Sequence, residues 1–394
     1  MYRLYILKRQ IEDIFIFPFI LVGRLIAFLK PLKKDYRLFY FFPFHHIGGA
    51  EKVHLQIAKA TGGKDTIIFF TRRSHNEGYY EEFVNTNCEI KDISRYTDKK
   101  WLYFLNLICR GIISGYINNQ SEQPIIFNGQ CNFGYKISPW IRNCKQIELI
   151  HSLNSFSYIR IPFLPFIDET IMISRLRIQD HLELYKKLKI PEKYIHRIQF
   201  ISNAIALPAL QEEKPDKPIT VLYVGRGTPE KRPKLFVDIA EEFRDKNNIS
   251  FQILGDVSES INIANKPFIH FWGNVTDKRQ IANIYSAAHI LVIPSETEGF
   301  PLAMMEAMAF GLAIIATPVG DIPFHLQNGK TGYLFSTIEN VQAIIEEAVI
   351  KINKLYNDPE LLKMISNHNI QYARQHFDIV DFDRSYQNLL LKKK

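Results

Sequence analysis

Residues 219–233 read Ile-Thr-Val-Leu-Tyr-Val-Gly-Arg-Gly-Thr-Pro-Glu-Lys-Arg-Pro. The apolar, β-branched run predicts a strand at Ile219–Val224. A Gly-x-Gly turn carrying Arg226 and Lys231 follows, and Pro233 suits the first turn of a helix near 233–247. Strand, short loop and helix in that order form the unit of a parallel sheet with crossovers. The alternation continues downstream, with strands predicted at Ser250–Leu254, Ile269–Trp272, His289–Ile293 and Leu312–Ala316. Helices are predicted near 278–287, 301–310, 338–356 and 359–376. A first alternation lies upstream, with strands at Tyr36–Phe42, Thr66–Phe70, Ile125–Asn128, Gln146–Ile150 and Thr170–Ile173. Between them lie helical patterns such as Ala50–Ala60, where Ala50, Val53, Ile57 and Ala60 share one face. Residues 206–218 are rich in proline and charge and read as a linker. The expectation is an α/β chain of two doubly wound Rossmann-like domains, 36–205 and 206–376, facing across a cleft. An apolar and basic segment, 1–35, precedes them.

Composition agrees with a globular chain. At 394 residues, 46% hydrophobic and 23% charged, two or three domains are expected. The 19 glycines and 19 prolines exclude collagen-like and low-complexity classes. Cys88, Cys109, Cys131 and Cys144 have no CxxC spacing, so neither a disulfide framework nor a zinc ribbon is supported, and reduced, mostly buried thiols are expected. The net charge of +8 is unevenly placed. Residues 1–37 hold eight bases against three acids, and Lys392, Lys393 and Lys394 end the chain. The body between them balances. A nucleic-acid reader carries its charge on folded surfaces, so no nucleic-acid partner is expected. Basic ends on a neutral body suit an anionic membrane surface instead.

Residues 14–22, Ile-Phe-Ile-Phe-Pro-Phe-Ile-Leu-Val, and 25–29, Leu-Ile-Ala-Phe-Leu, are split by Gly23-Arg24. Each run is shorter than the ~20 residues that a spanning helix needs. No small-residue cleavage site of a secretory signal follows cleanly. Two readings of residues 12–29 stay open: an interfacial anchor with basic flanks, and a terminal helix packed on its own domain.

Ligands of open parallel sheets bind beyond the carboxyl ends of the strands. The loop after the first strand, Pro43–Glu51, brings Gly48 and Gly49 into a helix start, where backbone approaches an anion closely. A plain Gly-Gly turn is the ordinary alternative. His151 ends the strand Gln146–Ile150, where an imidazole bonds sugar hydroxyls or serves a reacting group, or is merely structural. In Gly225–Pro233 the Walker pattern is absent, but Arg226, Lys231 and a helix start together suit a diphosphate. The alternative there is a solvated basic turn. Residues 295–311 read Ser-Glu-Thr-Glu-Gly-Phe-Pro-Leu-Ala-Met-Met-Glu-Ala-Met-Ala-Phe-Gly. Pro301 and Gly311 bracket a helix that is apolar all round except at Glu306. A lone carboxylate there is costly unless bonded, and ligand hydroxyls satisfy it. Glu298 stands just ahead, with Gly299 and Phe300 offering N–H groups. At ~1.5 Å rise per residue Glu298 and Glu306 lie too far apart for a retaining glycosidase pair, so two separate binding roles are expected. Thr317–Asp321 closes the set of loops.

Gly48-Gly-Ala-Glu51, Gly225-Arg226 with Glu230-Lys231, and Glu298 and Glu306 with seven residues between them, in a Gly-Phe-Pro and Ala-Met-Ala-x-Gly context, resemble family-four glycosyltransferases of the GT-B fold. The resemblance runs from about residue 36 to the end and is strongest over 219–335. It implies a retaining transfer from a nucleotide-diphosphate sugar, with no cofactor and no metal. Arg226 and Lys231 would hold the diphosphate, Glu306 the ribose hydroxyls and Glu298 the sugar hydroxyls. Backbone of Phe300, Pro301 and Leu302 would contact the sugar, Gly48 and Gly49 the phosphate, and His151 would lie near donor sugar and acceptor. A C-terminal helix, 377–394, would cross back onto the first domain. The sequence departs from the pattern at Asn203-Ala-Ile-Ala206, at Arg232 for a glycine, and at Asp321 and Phe324 for a glycine and a glutamate. The basic ends suit a glycan or lipid-linked acceptor in cell-surface polysaccharide synthesis, and the expected localisation is cytoplasmic, either free or peripheral on the inner face of the cell membrane. A GT-B nucleotide-sugar epimerase and a non-catalytic nucleotide-sugar-binding scaffold are the competing readings.

Overall fold

The computed structural model describes the chain except residues 100, 102, 152–154, 210–213, 215–217 and 392–394. Most of the predicted linker 206–218, Ser152 and the terminal lysines therefore lie outside the described residues. The chain divides into two compact units, residues 1–202 with 380–394, and residues 203–379.

The strands of unit 1 are β1 (Leu38–Phe42), β2 (Thr66–Phe70), β3 (Glu89–Asp92), β4 (Ile125–Asn128), β5 (Lys145–Ile150), β6 (Glu169–Met172) and β7 (Ile198–Phe200). They form one parallel sheet in the order β3-β2-β1-β4-β5-β6-β7. β1 and β2 are fully buried, because helices cover both faces of such a sheet. Unit 2 holds β8 (Ile219–Val224), β9 (Ile249–Leu254), β10 (Ile269–Gly273), β11 (Ile290–Ile293), β12 (Ala313–Ala316) and β13 (Gly332–Leu334). Their order is β10-β9-β8-β11-β12-β13, again parallel. Val221, Phe236, Phe251, Ile290, Val292 and Ile315 lie at the centre of its core. Both units are thus doubly wound Rossmann-like domains, as the alternation predicts. The strands the sequence reading left out, β3, β7 and β13, all lie at sheet edges. Three or four residues of mixed polarity, as in Glu-Ile-Lys-Asp, carry too little apolar signal to be read as strand.

Residues Tyr2–Leu29 form one helix, packed on the helix Tyr103–Asn118 of unit 1. Tyr2, Arg9, Ile20, Gly23 and Ala27 face inward. The two helices meet backbone to backbone, since a Cβ on Gly23 would stand 2.2 Å from the Ile108 carbonyl oxygen and 2.7 Å from Gly111 Cα. Contacts to the rest of unit 1 fix the rotation: the Arg9 guanidinium lies 4.9 Å from the centre of the Phe166 ring, and Arg24 Nη2 donates to the Trp140 carbonyl at 2.9 Å. Among the described residues, no helix is long and apolar enough to cross a membrane. At the other end of the chain, the helix Ile379–Leu390 lies in unit 1. There Tyr386 meets Phe127 edge-on, and Gln387 donates to the Ala60 carbonyl. The four cysteines are unpaired, and all but Cys144 are buried.

Replacing Gly23 by Val is expected to separate the two helices and to cost ~1–3 kcal/mol or more in urea unfolding. Unchanged stability would contradict the close contact.

Candidate functional site

Each sheet reverses its strand order at one point, where a crevice opens beyond the strand ends. In unit 2 that point lies between β8 and β11, and the loops leaving these two strands are Gly225–Arg232 and Ser295–Pro301. They carry Arg226, Lys231 and Glu298. Lys231 Nζ donates to Glu298 Oε2 at 2.6 Å, and Ser295 Oγ donates to Oε1 at 2.8 Å. The Glu298 side chain is 7% exposed and that of Lys231 24%, so the pair stands at the mouth of the crevice with its charge partly desolvated. Beneath it, Tyr223 Oη lies 3.1 Å from the Arg226 carbonyl and 3.4 Å from that of Lys231. One buried phenol thus ties both ends of the basic turn together. Burial, with Glu298 and Glu230 nearby, pushes the Tyr223 pKa up, so the hydroxyl stays a donor. The Arg226 side chain is exposed.

Arg232, at the position where the resemblance expects glycine, adopts φ +50°. Its guanidinium donates to Glu296 at 2.8 and 2.6 Å and to the Ile338 carbonyl, which holds a non-glycine residue in that conformation. The Glu298–Pro301 loop is fixed through its carbonyls. The Asp321 N–H donates to Gly299 at 2.8 Å, and Asn203 Nδ2 donates to Phe300 at 3.3 Å. Gly320 has φ +57°, and a Cβ there would meet the Gly299 carbonyl oxygen at 2.2 Å. The N–H groups of Gly299 and Phe300 have no partner among the described residues. The Phe300 ring is buried, stacked on His325 at 4.2 Å and against Phe377. Its side chain therefore supports the loop, and only its backbone is free to meet a ligand. Pro301 caps the helix Leu302–Ala309.

Glu306 is the one carboxylate of that buried helix, and it is partly exposed. Its Oε2 accepts from Tyr285 Oη at 2.9 Å, and Tyr285 is itself buried. The phenol satisfies one oxygen of a group that would otherwise be costly in apolar surroundings.

In unit 1 the reversal lies between β1 and β4. The loop after β1 leads into the helix Gly49–Thr61, with Gly48 as N-cap. A Cβ on Gly48 would meet Glu51 Oε2 at 2.2 Å, whereas Gly49 faces open space. Glu51, with His46 Nε2 at 3.7 Å, folds its carboxylate over the helix start. Of the two predicted glycines, Gly49 is thus the open one. His151 closes β5, and its N–H donates to Gln130 Oε1 at 3.0 Å. Its Nε2 lies 2.9 Å from Nε2 of His54, which stacks on Phe42. One ring nitrogen of this contact must donate and the other accept, so a proton on both is excluded. Burial pushes the His151 pKa down to about 4, and that of His54 well below the usual range, with the neighbouring His151 adding to the burial effect. Arg160 is fully buried; its Nε donates to Glu148 Oε2 at 2.9 Å and its Nη1 donates to Tyr185 at 2.7 Å.

The predicted site residues fall into two sets. Arg226, Lys231, Glu298, Gly299, Phe300, Pro301, Leu302 and Glu306 lie together in unit 2; Gly48, Gly49 and His151 lie in unit 1. The sequence reading does not single out Tyr223, Tyr285, Ser295 or His54, and it notes Asn203 only as the start of a segment that departs from the family pattern. Ser295 carried a signal in its spacing from Glu298, and His54 in being polar on the apolar face of Ala50–Ala60. The tyrosines read as ordinary core residues. Among the described residues, no group of three or more His, Cys, Asp or Glu is placed to hold a metal ion.

Residues 209–372 match the family Glycosyl transferases group 1. Over 161 residues the chain is 30% identical to sulfoquinovosyl transferase SQD2 of Arabidopsis thaliana, covering 40% of this chain and 30% of that protein. Over 166 residues it is 29% identical to the N,N'-diacetylbacillosaminyl-diphospho-undecaprenol alpha-1,3-N-acetylgalactosaminyltransferase of Campylobacter jejuni, covering 41% of this chain and 42% of that one. The chain spans less than half the length of the curated relatives it matches. Among solved structures, Anabaena HepE in complex with UDP and glucose superposes with a TM-score of 0.72 at 15% identity, covering 91% of this chain and 100% of that one. Sucrose-phosphate synthase of Thermosynechococcus elongatus gives 0.67 at 17%, covering 90% and 99%. At such identities the likeness is one of fold, and the fold is GT-B.

Unfolded histidines bind protons below about pH 6.5, while folded His54 and His151 resist protonation. Their burial therefore contributes stability above that pH, lost as pH falls from about 6.5 toward 4. The melting temperature should drop between pH 7 and pH 5. His151→Gln should make the slope shallower, leaving the shares of His54, which stays buried, and of His181, whose burial also pushes its pKa to about 4. An unchanged slope in the variant would count against the neutral pair.

Proposed function

We propose that this chain, a GT-B protein related through its second unit to the group 1 glycosyl transferases, moves a hexose-type sugar from a nucleotide-diphosphate sugar to a hydroxyl with retention. The acceptor is a glycan or a lipid-linked sugar, and the enzyme works at the cytoplasmic surface of a membrane. The observation that carries the reading is the linked pair Lys231–Glu298, held beside Arg226 at the strand-order reversal of unit 2. Support comes from the nucleotide-sugar complex of HepE and from the transferases matched over residues 209–372.

In this reading the diphosphate lies against Arg226 and Lys231. As the bond from the sugar carbon to the phosphate oxygen breaks, negative charge grows on the leaving diphosphate, and the two cations stabilise it without a bound metal. Lys231 has three donors and gives one to Glu298, so two remain for phosphate oxygens. Glu298, bonded to Lys231 and Ser295, presents its carboxylate to the sugar hydroxyls, and the N–H groups of Gly299 and Phe300 add donors. Glu306, steadied by Tyr285, accepts the ribose hydroxyls. In unit 1 the reading assigns Gly48 and Gly49 to the donor phosphate and His151 to the sugar and acceptor. A histidine kept neutral at pH 7 is an acceptor or donor of hydrogen bonds there, not a charge.

With a nucleotide-sugar donor and a glycan acceptor in EDTA, turnover should persist. Arg226→Ala should lower kcat about 10²–10³-fold, the scale of losing a preorganised donor to developing negative charge. Glu306→Gln should mainly raise KM for the donor. Strict dependence on Mg²⁺, or near-normal kcat in Arg226→Ala, would contradict the mechanism. Consumption of donor without acceptor would point to an epimerase, and no turnover with any acceptor to a binding subunit.

A further inference from the structure

The helix Tyr2–Leu29 has two apolar faces, and unit 1 covers only one. On the other, Leu4, Leu7, Ile14, Leu21, Leu25 and Phe28 recur at helical spacing and are 47–73% exposed. At ~1.5 Å per residue the stripe is about 36 Å long. Single exposed apolar residues are ordinary, but a contiguous stripe of this length marks an interaction surface. The helix cannot turn this face inward, because Arg9 over the Phe166 ring, Arg24 with the Trp140 carbonyl, and the Gly23–Gly111 contact fix its rotation.

Bases stand at both ends of the stripe: Arg3 and Lys8 at its start, and Lys30, Lys33 and Lys34 beyond its end, all exposed. Beside that second end lies a cavity of about 500 Å³ lined by Arg24, Arg142, Phe28, Asn118, Gln120 and Glu122, among others. Arg24 Nε is buried there without a hydrogen-bond partner among the described residues. Burial and the like charge of Arg142 lower the Arg24 pKa, a sign of two guanidiniums facing one space. A second copy of the chain is a poor occupant of this face. A two-fold pairing, parallel or antiparallel, would set bases against bases at the stripe ends.

We propose that this face docks on an anionic lipid bilayer: the stripe enters the acyl boundary in the membrane plane, and the cavity between Arg24 and Arg142 takes a lipid phosphate. Apolar side chains flanked by bases meet both requirements of an interfacial helix. The inference rests on the membrane setting proposed above, and not on the transfer chemistry.

Flotation of the full chain with vesicles of phosphatidylcholine, alone or mixed with phosphatidylglycerol, tests it. The native chain should float with the anionic vesicles, and less so at high salt. The triple substitution Ile14→Ser, Phe15→Ser, Leu25→Ser, all on the exposed face, should weaken binding at least tenfold. It should leave the melting temperature and transfer to a water-soluble acceptor unchanged, so a failed docking surface is told apart from a failed transferase. Arg142→Gln should weaken binding to the anionic vesicles alone, about fivefold. No flotation of the native chain, or equal flotation of the triple variant, overturns the proposal. So does a concentration-dependent dimer in sedimentation that the triple variant dissolves without any vesicle binding.

Discussion

The bond between Lys231 and Glu298 is the constraint on which the unit 2 site depends. It joins the loops leaving β8 and β11, adjacent strands on either side of the reversal in strand order. Tyr223 gathers the basic turn from below, while Asp321 and Asn203 hold the acidic loop by its carbonyls. The outcome is a cation and a carboxylate fixed against each other in one crevice. A partly desolvated pair of this kind is worth little as a stabiliser on its own. In the proposed function its value lies in holding charge in place before a ligand arrives.

Unit 1 follows a different electrostatic rule. Its buried groups are arranged to keep imidazoles neutral and one ion pair charged. Glu148 is held charged, well bonded by Arg160 and Thr170, despite complete burial. Losing either partner of such a pair leaves an unpaired charge inside the fold.

Much of this was readable from the chain. Central strands such as Thr66–Phe70 and Ile219–Val224 are continuous apolar runs, because both faces of a parallel sheet are covered, and their bounds agree with the reading. Edge strands were not readable, since short segments with one open side need no apolar run. Arg226, Lys231, Glu298 and Glu306 stood out as charges where apolar packing or a glycine turn was expected. Their supports did not: Tyr223 and Tyr285 act through hydroxyls at the end of otherwise ordinary core side chains, and only three-dimensional proximity reveals the bond. The N-terminal helix shows the same limit. Its sequence is apolar on two sides, and only the packed structure tells which side unit 1 consumes.

The proposal that two bases serve the two phosphates of a donor makes one equilibrium quantity decisive. Calorimetric titration of the intact chain in EDTA, with UDP, GDP and ADP each set against its own monophosphate, measures what the second phosphate contributes. The account predicts that at least one diphosphate binds tenfold or more tightly than its monophosphate, and that the gap closes in Lys231→Ala. Equal affinity for mono- and diphosphate across all three bases would contradict it.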